Sequence, residues 1–134
     1  MFKIDSNKRI HLTRGDVACI KVQALEEDEK TLHVFNVDDV VQFTVMTAGN
    51  PDEIHITKSK TVEQAGTDVL IRLSKEQTRI GELISKPVKY WYEVEVNPDT
   101  NPQTIVGYDE KGPKQFILYP EGGDDKEWLK QKKP

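Results

Sequence analysis

The chain has 134 residues, 36% hydrophobic and 31% charged, with a formal net charge of -4; this suits one domain with a modest core and stops short of a disordered composition. The acidic balance supplies no overall field for phosphate backbones, so no nucleic-acid partner is expected. Cys19 is the one cysteine, which excludes a disulfide within the chain, and no stretch approaches the roughly 20 apolar residues that span a bilayer. No membrane is expected either.

Short apolar runs of period two, separated by turn formers, predict an all-β fold. Met1-Phe2-Lys3-Ile4-Asp5 carries no apolar leader, so synthesis is expected in the cytoplasm. A weak strand is expected at 9–12, followed by the turn Arg14-Gly15-Asp16. Over 17–25, Ala18, Ile20, Val22 and Ala24 alternate with Cys19, Lys21 and Gln23, the pattern of a strand with one wet face. The acidic run Glu26-Glu27-Asp28-Glu29 reads as a solvated hairpin connection, because it lacks the D-x-D-x-D-G spacing of a calcium loop. A weak strand at 32–35 precedes a clear one at 40–47, which sets Val41, Phe43 and Val45 against Gln42, Thr44 and Met46.

Weak strands follow at 54–57 and 68–73. Residues 74–80 are expected to form a short helix of one or two turns, capped by Ser74, supported by Glu76 or Gln77, and stopped by Gly81. The clearest strand is 88–96, with Val88, Tyr90, Tyr92, Val94 and Val96 on one face and Lys89, Trp91, Glu93 and Glu95 on the other. Asn97-Pro98-Asp99-Thr100-Asn101-Pro102 ends it, and weak strands at 103–106 and 114–119 complete the set. Together these predict an immunoglobulin-like antiparallel two-sheet sandwich over 1–120, with at most one short helix, and a charged C-terminal tail over 121–134.

The order of the motifs resembles a family. Leu12-Thr13-Arg14-Gly15-Asp16, then Asp39-Val40-Val41-Gln42-Phe43-Thr44-Val45, then Leu73 through Thr78, then Tyr90-Trp91-Tyr92-Glu93-Val94-Glu95-Val96, and finally Thr104-Ile105-Val106 and Phe116-Ile117-Leu118 are similar to the run found in small β-sandwich proteins of Gram-positive bacteriophages and prophages. That family includes the N-terminal domain of phage upper baseplate proteins. The resemblance covers about residues 8–120. It implies a non-enzymatic virion structural protein whose partners are other tail or baseplate proteins, with self-association as a further expectation and the virion as the final location. Cys19 in an early strand, Pro87 before the tyrosine strand, the long 80–86 connection and the charged tail depart from the pattern.

No catalytic constellation stands out. Arg14-Gly15-Asp16 has the form of an adhesion tripeptide, but a turn that needs a glycine accounts for it. His11, His33 and His55 are too dispersed to give a short-range ligand pair, so no metal and no cofactor are expected. Glu93 and Glu95 share a strand face that reads as solvated rather than as a glycosidase pair, and Cys19 reads as a small apolar strand residue. The candidate interface residues are Trp91, which points away from the tyrosine face, and Trp128 with Leu129 in the tail. For Trp91 the packing alternative is a satellite cluster beneath the 98–102 loop. The alternative function is an immunoglobulin-like ligand-binding module for a carbohydrate or a cell-surface partner.

Overall fold

The computed structural model describes residues 1–81 and 84–121. Among them the chain is all-β, with nine strands: β1 (Phe2–Ile4), β2 (Ile10–Thr13), β3 (Ala18–Val22), β4 (Val40–Thr47), β5 (Asn50–Thr61), β6 (Val69–Leu73), β7 (Val88–Val96), β8 (Gln103–Val106) and β9 (Lys114–Tyr119). Seven form one sheet in the order β1-β2-β9-β7-β4-β5, and β8 pairs with β7 beyond the end of β9; β3 and β6 form a two-stranded sheet.

Alternation in the sequence decides which side chains are buried. On β4, Val41, Phe43 and Val45 are fully buried, and they stand opposite Val96, Val94 and Tyr92 of β7. Phe116 and Leu118 of β9 pair with Ile10 and Leu12 of β2, so the same layer continues across the sheet. The two-stranded sheet adds Ile20 and Ile71 to one contiguous core. Each fully buried side chain of this size contributes roughly 1.5–3 kcal/mol relative to exposure.

Several expectations are corrected. The sheet is mixed, because β2 and β9 run parallel: the two ends of the domain lie side by side, and the chain between them provides the crossover that parallel pairing needs. Residues 32–35 form no strand. They make two isolated bridges, Leu25 to Leu32 and Phe35 to Gly66, because Phe35 dives into the core and the next residues turn at once, with the Asn36 N–H donating to Asp39 Oδ2 at 2.8 Å and Asp38 at a positive φ of 74°. β1 was not expected, and β3 is shorter than the 17–25 run.

No helix forms at 74–80, where one was expected; the segment makes a single hydrogen-bonded turn, the Thr78 N–H donating to the Ser74 carbonyl at 3.1 Å. Its capping box does form, with the Ser74 N–H donating to Gln77 Oε1 at 2.9 Å and the Gln77 N–H to Ser74 Oγ at 3.2 Å. The fully buried Thr78 hydroxyl donates to the Asp16 carbonyl at 2.8 Å and accepts from the Gly15 N–H at 3.1 Å, which joins this turn to the one after β2.

Candidate functional site

Two places combine functional side chains with built geometry. The first is the Leu12-Thr13-Arg14-Gly15-Asp16 turn. Gly15 has a φ of 87°, a conformation that favours glycine, and an added Cβ would come within 2.6 Å of Glu121 Oε2. Arg14 is buried: its Nε–H donates to the Ile80 carbonyl at 3.2 Å, Nη2 to the Gly81 carbonyl at 3.0 Å and Nη1 to Glu121 Oε1 at 2.7 Å. A guanidinium committed to two carbonyls and a carboxylate is not displayed to a receptor, which leaves the adhesion reading without its cation. Composition assigned Glu121 to the tail, but this contact ties it to the domain. Residues 122–134, including Trp128 and Leu129, lie outside the described residues.

The second is the outward face of the large sheet, on the side of β7 that Tyr90 and Tyr92 do not occupy. Trp91 is half-buried and faces Met46 of β4 on one side and Gln115 of β9 on the other. Met46 in turn faces Ile54 of β5. Met46 is only 5% exposed yet stands apart from the core cluster, as does Ile117 on the same side of β9. They belong to a satellite layer on this face.

Its cover comes from the chain that follows β8. Gly107 runs close over the sheet, where a Cβ would meet Thr104 Cγ2 at 2.8 Å and Glu93 Cβ at 3.6 Å. That approach delivers Tyr108, whose ring meets Trp91 edge to face with centroids 5.8 Å apart at 71°. The aromatic partner of Trp91 is thus Tyr108, beyond the expected 98–102 loop. Ile54 at 55% and Tyr108 at 71% exposure are the open ends of an apolar row, Ile54, Met46, Trp91, Tyr108.

Beside the row, Glu93 faces Thr44 and Glu95 faces Gln42. Both glutamates are half-buried rather than fully solvated. Burial raises the pKa of Glu93 above its ordinary value, and the hydrogen bond and charge of Glu95 add to the shift. Glu93 therefore holds a proton more tightly than an isolated surface glutamate does.

The three histidines are dispersed. His11 lies 2.8 Å from Tyr119 Oη and 2.9 Å from Asp5 Oδ2. His33 pairs with Glu26 at 3.0 Å, and His55 lies 2.7 Å from Thr47 Oγ1. Among the described residues no three His, Cys, Asp or Glu side chains gather as a metal site would require. The His11 cluster, which the sequence did not suggest, orders the β1–β2 hairpin: Asp5 is held well below the ordinary carboxylate range, chiefly by its hydrogen bond to His11. Cys19 is exposed, on the outward face of β3 opposite Arg72, so the expected apolar packing role is corrected. Among the described residues no helix is long and apolar enough to cross a membrane.

Comparison of the chain with protein-family models, with curated proteins and with solved structures gives no match.

Proposed function

We propose that the protein is a non-enzymatic structural component of a bacteriophage or prophage particle, associated with the tail or baseplate and built on an immunoglobulin-like sandwich. The observation that carries the interface part of this reading is the apolar row Ile54, Met46, Trp91 and Tyr108, which lies on the outward face of the sheet and ends in two exposed side chains. An amphipathic tryptophan flanked by exposed apolar residues is the usual composition of an interface anchor. The assignment to a phage particle rests on the motif order described above.

The ligand-binding alternative asks for a concavity ringed by aromatic groups. A groove of about 630 Å³ between β5 and β6 carries no aromatic side chain, so the assembly reading stands ahead. Light scattering across a range of concentrations, on the wild type and on Trp91→Ala, tests it. A concentration-dependent oligomer that the substitution dissociates supports self-assembly through this face; a monomer in both proteins moves the interface to a different tail protein.

A further inference from the structure

The groove between β5 and β6 lies on a different surface from the Trp91 row. β5 hydrogen-bonds only to β4, and β6 only to β3, so each strand leaves one edge unpaired among the described residues. Those edges wall the groove, whose volume of about 630 Å³ falls in the usual range for sites that enclose a ligand. Lys58 and Lys60 line it from β5, and Leu70, 51% exposed, and Arg72 line it from β6.

Charge decides what could fit. Lys58, Lys60 and Arg72 make no ion pair among the described residues. Of the acidic residues that also line the groove, Asp68 is turned to Lys21 at 3.7 Å and to the Gln23 amide at 2.5 Å, which leaves Glu63. A chain of net charge -4 therefore presents a locally cationic groove between two strand edges that have no strand partner among the described residues.

Lysines on an edge strand ordinarily guard it against indiscriminate pairing. Such lysines also discriminate among added strands, since a basic or neutral strand gains nothing from them, whereas a strand bearing carboxylates gains both ladder hydrogen bonds and ion pairs. We propose that the β5–β6 groove binds an extended acidic peptide segment of a partner protein by strand addition. The carboxylates of that segment would face Lys58 and Lys60 of β5 and Arg72 of β6. This inference does not depend on the Trp91 face.

The test is fluorescence anisotropy with a labelled peptide of alternating valine and aspartate, a lysine-for-aspartate counterpart, and a version N-methylated at alternate amides. Saturable binding of the aspartate peptide is expected, with binding weakened about tenfold or more, equivalent to about 1.4 kcal/mol, for the lysine and N-methylated peptides. The Lys58→Glu/Lys60→Glu protein should lose the aspartate peptide by a similar factor, and Arg72→Glu provides a second variant in case the first misfolds. Trp91→Ala should bind as the wild type does. Absence of saturation, equal binding of the aspartate and lysine peptides, indifference to both charge reversals, or preference for a single-stranded oligonucleotide over the aspartate peptide would each overturn the proposal.

Discussion

The Gly15 N–H donates to Thr78 Oγ1 at 3.1 Å, bolting the turn after β2 to the turn after β6 across 63 positions of sequence. The same hydroxyl donates to the Asp16 carbonyl, and Arg14 caps the Ile80 and Gly81 carbonyls beside it. Two of the motifs that suggested a family are thus halves of one hydrogen-bonded joint.

Replacing Thr78 with valine keeps the shape but leaves the Gly15 N–H and the Asp16 carbonyl without this partner in a buried site. The expected loss is about 1–3 kcal/mol, measured by urea unfolding monitored by circular dichroism.

Arg14→Ala removes one member of a buried ion pair and two carbonyl caps. Glu121 then keeps only the half-exposed Arg79, 3.7 Å away, so the expected cost is roughly 3 kcal/mol, the low end for a broken buried pair. Arg14→Lys should recover only part of that loss, because an ammonium cannot reproduce the fork that reaches both carbonyls and the carboxylate. Denaturant midpoints of the two variants check the order.

Gly15→Ala and Gly49→Ala should separate backbone strain from collision. Both glycines have positive φ, 87° and 79°, but a Cβ at Gly49 meets nothing within 4 Å, whereas one at Gly15 comes within 2.6 Å of Glu121 Oε2. The Gly49 variant should lose about 1 kcal/mol from its φ alone, and the Gly15 variant clearly more. Adding Glu121→Ala should reduce the extra cost at Gly15, and a double-mutant cycle measures the coupling.

Stability should respond to acid through groups of opposite sign. The folded-state pKa of Asp5 lies below its ordinary 3.8, so its contribution is present above that value and fades as pH falls further. Glu93 lies above its ordinary 4.5, so the folded state holds its proton more tightly; its contribution is full at low pH and is lost as pH rises through the folded pKa. The thermal midpoint of Glu93→Gln relative to wild type should therefore be more favourable at pH 7 than at pH 4. An unchanged difference would contradict the raised pKa of the half-buried Glu93.

Much of the fold was legible because burial follows strand parity. Val88 to Val96 shows strict alternation, and Trp91 lies on the side opposite Tyr90 and Tyr92 as parity requires. β1 was missed because only three residues form it, at an edge. The Leu32 to Phe35 run misled because apolar composition does not reveal the immediate turn at Asn36 to Asp39. Contacts across distant loops carry no local periodicity. Neither Tyr108 on Trp91 nor Thr78 on Gly15 could be read from spacing, although the glycine at 107 marked a place where backbone passes close to something else. Cys19 fell on the polar side of its own alternation, and that parity was a better guide than the general habit of cysteine.

The central claim is that Trp91 serves the outward face rather than the fold, and urea unfolding of Trp91→Ala in dilute solution tests it most directly. A half-buried anchor should cost less than about 1.5 kcal/mol when truncated; a loss of about 3–5 kcal/mol, the range for a tryptophan removed from a core, would place Trp91 in the packing of the domain and contradict the interface reading.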